Sequence, residues 1–214
     1  MVNQVSIGGY EVLEQLYEGS RTIIYRAVRD SDEKPVVIKL LKNPYPNFTE
    51  LLQFRNQYTI TKNLKFAKII QSYSLEAYEN GYALVMEDMG GISLKEYFMN
   101  LERLYISSEN ITSLQEFLQI AISLCDTLSF LYDHRIIHKD IKPANILINP
   151  ETKEVKLIDF SIASLLPRET QTLINPNGLE GTLPYISPEQ TGRMNRGIDY
   201  RSDFILWVLL FMSY

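Results

Sequence analysis

A short stretch of the chain places three chemically different side chains close together: Asp140, Lys142 and Asn145. A carboxylate orients a hydroxyl and accepts its proton, a lysine neutralises charge on a phosphoryl group, and an amide oxygen binds a divalent cation. Nineteen residues after Asp140, the apolar pair 157–158 runs into a second carboxylate, Asp159. This pattern predicts a buried strand that delivers Asp159 to the same site. Phosphoryl transfer from ATP needs this set of groups together.

The elements that must position these residues begin with a strand-rich segment. β-Branched and aromatic residues predict strands over residues 10–13, 22–27, 36–40, 69–76 and 82–87. Asn80 and Gly81 stand between the last two, and Asn-Gly is a strong hairpin signal. We therefore expect an antiparallel sheet in the first part of the chain.

The rest of the chain is predicted to be mostly helical. Spacing of apolar residues predicts helices over residues 50–64, 93–101 and 113–132. Ser113 and Glu116 form a capping-box pattern at the start of the last helix. Gly90 and Gly91 mark a hinge between the strand-rich and helix-rich parts.

Composition excludes several classes of function. The chain has 214 residues, 45% of them hydrophobic, and a net charge of −5, which gives no support to nucleic-acid or anionic-membrane binding. Cys125 is the only cysteine, so no internal disulfide forms, in keeping with a cytoplasmic location. The apolar run 204–212 is too short to span a bilayer.

Residues 138–145 and 157–161 resemble the catalytic and metal-binding loops of the eukaryotic-type Ser/Thr protein kinases. The resemblance implies an α+β, protein-kinase-like bilobal fold. Residues 1–89 would form an N-terminal antiparallel sheet lobe with one main helix, and residues 90–203 a mainly helical, incomplete C-terminal lobe. The reaction implied is transfer of the γ-phosphoryl group of ATP to Ser or Thr of a protein.

The resemblance also implies a role for each residue of the catalytic loop. Asp140 would orient the acceptor hydroxyl and take its proton, and Lys142 would neutralise charge on the γ-phosphate. Asn145 and Asp159 would bind Mg²⁺. Thr182 would bond the catalytic aspartate and lysine. His138 is expected to pack and to bond backbone.

The nucleotide is expected to bind against the strand-rich segment. Gly19 would lie in the lid over the phosphates, and Lys39 would bind the α- and β-phosphates. The backbone of Glu87 and Met89 would bond the adenine edge. Met86 would lie at the back of the pocket. The remaining contacts would sandwich the adenine ring, and they come from Leu16, Ile24, Val37 and Leu147.

Each of these motifs also has a purely structural interpretation. Gly19 alone could be an ordinary hairpin turn. A lysine such as Lys39 is costly to bury without an anion, and the alternative places it on the wet side of an edge strand. The segment 84–91 also reads as an apolar strand that ends in a Gly-rich turn.

The chain departs from the kinase pattern at several positions. Tyr17 and Thr22 replace two glycines of the lid, and Gln57 stands where the family has the glutamate that pairs with Lys39. An amide accepts a hydrogen bond from Lys39 but supplies no charge. Lys139 replaces an arginine, and Ser161 replaces the glycine after the metal-binding aspartate.

Residues 161–189 resemble an activation segment that closes with the motif at residues 181–189, which favours Ser or Thr acceptors. Thr170 and Thr172 are candidate phosphorylation sites. The continuation 189–196 resembles the kinase module at the front of large bacterial multidomain sensor kinases, which implies sensor or histidine-kinase domains as partners in a full-length relative.

The last residues, 204–214, match no kinase helix. Deleting one nucleotide from a plausible coding of the usual kinase sequence reproduces them, so we expect a frameshift and a truncated kinase domain that folds and turns over poorly. The alternative is a genuine apolar helix that caps the lobe.

Two other functions compete with a protein kinase. A nucleotide-binding pseudokinase is favoured by Tyr17, Thr22 and Gln57 and disfavoured by the complete catalytic set. A kinase of small molecules is disfavoured by the peptide-seating segment 181–189.

Overall fold

The computed structural model of the chain describes residues 6–105, 114–166, 186–191 and 198–204. Its contacts divide the chain into two compact units. The first unit consists of residues Met1–Lys65 and Ile70–Gly90, and the second of Phe66–Ile69 and Gly91–Tyr214. The predicted Ser113 cap, Thr170, Thr172, Thr182 and the tail 205–214 lie outside the described residues.

The strands of the first unit form one sheet in the order β1-β2-β3-β5-β4, with every neighbouring pair antiparallel. They are β1 (Tyr10–Glu18), β2 (Thr22–Arg29), β3 (Lys34–Leu41), β4 (Ser72–Tyr78) and β5 (Gly81–Glu87). The predicted hairpin between β4 and β5 is present, and Glu79 adopts a left-handed φ of 49° in its turn. The predicted antiparallel sheet is therefore confirmed.

The start of β4 differs from the prediction. Sequence pattern began this strand at residue 69, but β4 begins at Ser72. Ile69 instead forms an isolated parallel bridge with Leu157, and both belong to the second unit. The apolar pattern around Ile69 does not show whether this residue extends β4 or pairs with Leu157, because Ile69 is compatible with burial in either position.

The strand register separates the two faces of the sheet. Buried apolar residues of one face form the core cluster of Ile7, Tyr25, Ala27, Val36, Ile38, Leu40, Ala83 and Val85. On β3, Val37 and Lys39 alternate with these residues and so point to the opposite face. Lys39 lies opposite Ile24 of β2, and Val37 lies opposite Met86 of β5. The register thus brings four residues predicted for the nucleotide site to one face of the sheet: Ile24, Val37, Lys39 and Met86.

Helix α1 (Phe48–Thr61) follows β3. Its start is fixed by a capping box, because the Asn47 side chain accepts from Glu50 N at 3.0 Å while the Glu50 carboxylate accepts from Asn47 N at 2.9 Å. This cap explains why the helix begins before residue 50, where apolar spacing alone placed it. The helix buries Phe54, Gln57, Ile60 and Thr61.

The second unit contains two described helices and several short strands. These are β6 (Ile92–Ser93), α2 (Leu94–Tyr105), α3 (Leu114–Asp133), β7 (Ile136–Ile137), β8 (Ile146–Ile148), β9 (Val155–Leu157) and β10 (Ser164–Leu165). The strands pair as a three-stranded sheet in the order β6-β8-β9 and as a β10-β7 ribbon. A sheet-rich first unit and a helix-bearing second unit agree with the predicted α+β class.

A polar network ties the helices of this unit to the β8–β9 turn. Lys153 Nζ lies 2.8 Å from the Glu116 carboxylate and donates to the Tyr97 hydroxyl at 2.7 Å. Tyr97 in turn donates to Glu116. This network holds α2 and α3 beside the turn between β8 and β9, the two strands that follow the candidate catalytic loop. Of the helices in the described ranges, none is long and apolar enough to cross a membrane.

Candidate active site

The catalytic loop follows β7, and its backbone is anchored by Asp203. The carboxylate of Asp203 accepts from His138 N at 2.7 Å and from Lys139 N at 2.8 Å. Lys139 adopts a left-handed φ of 68°, which turns the chain sharply before Asp140. Burial raises the pKa of Asp203, and the charge of His138 and these backbone N–H groups offset part of that rise. The two N–H groups of the loop thus offset the burial of the Asp203 carboxylate, and the carboxylate in turn holds the loop backbone in place.

His138 serves as a packing residue. Its side chain is buried, its Nε2 lies 2.9 Å from the Ile158 carbonyl, and its ring meets Phe160 edge-on at 4.7 Å. These contacts tie the catalytic loop to the segment that carries Asp159. His138 therefore packs and bonds backbone, as its position in the sequence led us to expect.

Asp140 is the centre of a three-residue cluster. Lys142 Nζ donates to its Oδ2 at 2.7 Å, and Asn145 Nδ2 donates to the same oxygen at 2.8 Å. Asn145 Nδ2 also donates to the Asp140 carbonyl at 2.9 Å. Two directed donors on one oxygen restrict the rotation of this carboxylate. Fixed orientation is the property that a residue positioning an acceptor hydroxyl requires.

Asn145 links this cluster to the segment of Asp159. It ends a short 3-10 helix, Pro143–Asn145, and its carbonyl accepts from Ile158 N at 2.9 Å. Asp159 follows directly with a left-handed φ of 63°, a region that residues other than glycine adopt infrequently and that aspartate adopts more readily than most. Such a conformation persists only where the surroundings impose it, and it often marks a functional position.

The donor set of this segment suits a hard divalent cation. Asn145 uses its amide nitrogen on Asp140, so Oδ1 is the atom that the side chain would present to a metal. Asp159 adds carboxylate oxygens, and Mg²⁺ typically takes one or two carboxylates together with substrate phosphates. The described ranges hold no cluster of three or more His, Cys, Asp or Glu that would bind a metal on its own.

The end of the predicted activation segment reaches the same loop. Gln190 Nε2 donates to the Lys139 carbonyl at 2.8 Å, and its Oε1 accepts from Ser187 N at 3.0 Å. Glu189 is buried and accepts from Ser202 Oγ at 2.5 Å. Residues 187–190 are thereby attached both to the catalytic loop and to the helical turn that holds Asp203.

In the first unit, Lys39 is held by α1. It lies on β3, a central strand, and only 7% of it is exposed, so the alternative of a wet edge-strand lysine is wrong. Its Nζ donates to Gln57 Oε1 at 3.0 Å and lies 5.5 Å from the Phe54 ring centre. The amide at the position of the usual glutamate thus hydrogen-bonds the lysine, as the sequence suggested it would.

The predicted lid is the turn between β1 and β2. Gly19 N donates to the Thr22 carbonyl at 2.8 Å, which closes the turn. The Tyr17 ring folds over this glycine, so a Cβ built at Gly19 would lie 2.8 Å from the ring. Lys42 of the segment after β3 pairs with Glu18, and this hydrogen bond together with the charge of Lys42 lowers the pKa of Glu18. Leu16 lies at a register shift of β1 and is 40% exposed.

The predicted hinge follows β5. Glu87 N donates to the Gln71 carbonyl at 2.9 Å, and the next residue, Asp88, bonds Arg26 Nε at 2.6 Å. Asp88 also accepts from the N–H of Gly90, whose φ is 64°. Met89 lies between these two anchored residues. In the second unit, Leu147 occupies the centre of β8 and pairs with Ser93 and Lys156.

Sequence reasoning missed two residues that shape the site. Asp203 and Gln190 bond the backbone of the catalytic loop from 64 and 51 positions away. Asp203 stands alone between Ser202 and Phe204, without a local motif that reveals its partner. Gln190 adjoins the motif at 181–189, which was the available signal.

Comparison with known proteins places this geometry in a family. Residues 10–210 match the model of the protein kinase domain. The chain is 30% identical to the serine/threonine-protein kinase PrkC of Bacillus subtilis (strain 168) over 86% of its own length and 27% of that relative. It is 29% identical to the serine/threonine-protein kinase PknB of Mycolicibacterium smegmatis over 91% of its length and 30% of that protein.

The chain thus spans less than a third of the length of these curated relatives. Their names agree with the Ser/Thr assignment and give no support to the pseudokinase alternative. A protein kinase domain uses ATP and a divalent metal in general, and it acts on protein substrates. With a match that covers nearly the whole chain, this protein belongs to the protein kinase family.

Proposed function

We propose that the chain transfers the γ-phosphoryl group of ATP to Ser or Thr side chains of proteins. The observation that carries this proposal is the cluster in which Lys142 and Asn145 both donate to Asp140 Oδ2, at 2.7 and 2.8 Å. A carboxylate oriented in this way suits a residue that receives the proton of an acceptor hydroxyl. The relatives' names support Ser and Thr as the acceptors.

Each residue of the site has a part in the proposed reaction. Asp140 hydrogen-bonds the acceptor hydroxyl and directs its oxygen at the γ-phosphorus. Lys142 lies beside Asp140 and offsets negative charge that spreads over the transferred phosphoryl oxygens. Lys39 binds the α- and β-phosphates, and Thr182 is proposed to bond Asp140 and Lys142.

The adenine ring is proposed to bind among Leu16, Ile24, Val37 and Leu147, with Met86 behind it. Its edge would bond the carbonyl of Glu87 and the N–H of Met89. Gly19 would allow the lid backbone to approach the phosphates.

Mg²⁺ is the proposed metal, held by Asn145 Oδ1 and the Asp159 carboxylate. When bound there, the metal would supply positive charge that offsets the negative charge developing on the phosphate oxygens. The hydrogen bonds from Asn145 to Asp140 support this assignment, because they hold Nδ2 against Asp140 and so turn Oδ1 away from that residue.

The same proposal assigns a role to each part of the chain. Residues 1–89 would form the nucleotide-binding lobe and residues 90–203 the catalytic part of the second lobe. Sensor or histidine-kinase domains are proposed as partners in a longer relative. We propose a cytoplasmic location, supported by the use of ATP and by Cys125 as a free, exposed thiol.

The proposal is tested by incubating the chain with Mg²⁺, γ-labelled ATP and a generic protein acceptor. Because we expect the chain to turn over poorly, we expect weak but equal label on Ser or Thr with the wild-type chain and with Asp133→Asn, which changes an exposed aspartate on α3. We expect none with Asp140→Asn. Label that persists in Asp140→Asn contradicts the proposal, and nucleotide binding without any transfer by the wild-type chain supports a pseudokinase instead.

A further inference from the structure

Gln57 connects two residues of the nucleotide face. Only 1% of it is exposed. Its Oε1 accepts from Lys39 Nζ on β3 at 3.0 Å, and its Nε2 lies 3.6 Å from Met86 Sδ on β5. One buried amide therefore spans two strands of the sheet, from the predicted phosphate-binding lysine to the residue behind the predicted adenine pocket.

The chemistry of these two neighbours determines which way round the amide lies. A lysine ammonium has three donors and no acceptor, so it requires the amide oxygen. A thioether sulfur is a weak acceptor with nothing to donate, so it suits the amide nitrogen. An amide turned by half a rotation would set N–H against ammonium and oxygen against sulfur, and both contacts would be lost.

The backbone that carries Gln57 is fixed as well. Thr61 Oγ1 donates to the Gln57 carbonyl at 2.7 Å and lies 2.6 Å from Ser72 Oγ on β4. Both Thr61 and Ser72 are buried. With this backbone held and the side chain buried, Lys39 and Met86 both favour the same one of the two amide orientations.

The bond from Gln57 helps to position Lys39, and we propose that Met86 keeps the amide oxygen of Gln57 turned toward that lysine. The inference rests on the proposed function, because Lys39 is taken to bind the nucleotide phosphates. A neutral amide holds Lys39 in place without cancelling its charge. A carboxylate would also hold the lysine, but it presents an oxygen in either orientation and so has no need of Met86.

This difference between amide and carboxylate gives a sharp test. Binding of a non-hydrolysable ATP analogue with Mg²⁺ is measured by calorimetry for wild type, Met86→Leu, Gln57→Glu and the double variant. Any direct effect of Met86→Leu on adenine is common to both backgrounds and cancels. We expect Met86→Leu to weaken binding about threefold more with Gln57 present than in the Gln57→Glu background. An equal effect in both backgrounds overturns the role of Met86.

A second variant tests the positioning role itself. Gln57→Met keeps the length and volume of the side chain but removes the acceptor, and we expect about tenfold weaker binding of the analogue. Gln53→Met, one turn earlier on α1 and less buried, is the matched control and should bind like wild type. Wild-type affinity in a folded Gln57→Met chain overturns the proposal, and the coupling measurement decides if that variant does not fold.

The readouts separate this inference from the proposed activity. Analogue binding with the expected coupling, but no Asp140-dependent label transfer, supports the role of Gln57 and contradicts the activity. Asp140-dependent label transfer without coupling supports the activity and contradicts the role of Met86.

Discussion

Asn145 Nδ2 donates two hydrogen bonds to Asp140, one to the carboxylate at 2.8 Å and one to the backbone carbonyl at 2.9 Å. The first bond aims the carboxylate, and the second closes the loop that carries it. One side chain therefore contributes both to the position and to the orientation of the proposed catalytic aspartate.

Replacing this amide should impair catalysis far more than folding. In Asn145→Ala, Asp140 loses a directed donor and the proposed metal loses an oxygen, so we expect the turnover rate to fall roughly 100-fold. Asn149→Ala is the matched control, because Asn149 Oδ1 accepts from Glu151 N and Thr152 N in the next turn, outside the cluster around Asp140. That control should lower the melting temperature while the rate stays near wild type. Equal rates for the two variants would contradict the prediction.

Ser202→Ala should destabilise the second unit. Ser202 is fully buried and donates to the buried carboxylate of Glu189. Losing a hydrogen bond to a charged group costs about 1.5–3 kcal/mol of unfolding free energy. Urea denaturation measures the change, and Ser31→Ala, at an exposed turn, should leave the midpoint unaltered. A Ser202→Ala chain with the wild-type midpoint would show that Glu189 gains little from this bond.

Acidification should remove a stabilising contribution of Glu116 that is present at neutral pH. Burial raises the pKa of Glu116, but hydrogen bonds from Lys153 and Tyr97 outweigh that effect and leave it below its ordinary value of 4.5. A lowered folded-state pKa contributes stability above pH 4.5 that is lost as the pH falls through the folded-state value. Because Lys153 is partly exposed, we expect this contribution to be at most about 1 kcal/mol.

The measurement compares urea unfolding of wild type and Glu116→Gln between pH 7 and pH 3. The wild-type advantage at neutral pH should shrink as the solution is acidified. Two curves that stay parallel over this range would rule out the network as the source of acid sensitivity.

The lid should tolerate a methyl group at Gly19 only if Tyr17 moves. A Cβ at Gly19 lies 2.8 Å from atoms at the far end of the Tyr17 ring, which is 56% exposed. We expect Gly19→Ala to cost less than about 1 kcal/mol, as a shifted side-chain rotamer does. The cost should vanish in a Tyr17→Ala background, as judged by urea unfolding.

Gly8→Ala is the control for this pair, because a Cβ at Gly8 meets nothing within 4 Å. It should behave identically with and without Tyr17→Ala. A cost of Gly19→Ala that survives removal of the Tyr17 ring would place the obstruction elsewhere in the lid.

Local chemistry made much of this molecule predictable from its sequence. Enrichment in β-branched and aromatic residues identified the strands of the first unit, and the two-residue period of a strand places Val37 and Lys39 on one face. The cluster of Asp140, Lys142 and Asn145 forms within six residues, so its spacing alone indicated that the side chains meet.

Other features depend on partners that are distant in the chain. The β4 start was wrong because Ile69 pairs with Leu157 rather than extending the first sheet. The contact of Gln57 with Met86 requires the position of α1 on the sheet, which no local pattern encodes. The Asn47 cap moved the helix start because a hydrogen bond, rather than apolar spacing, determines where α1 begins.

The bond between Asp203 and the catalytic loop also has a consequence during protein synthesis. His138 N and Lys139 N meet their acceptor 65 and 64 positions later in the chain. At a translation rate of about 5–20 residues per second, the loop leaves the ribosome roughly 3–13 seconds before its anchor exists. Until the aspartate emerges, these two N–H groups of the nascent loop lack their native acceptor and must bond to water instead.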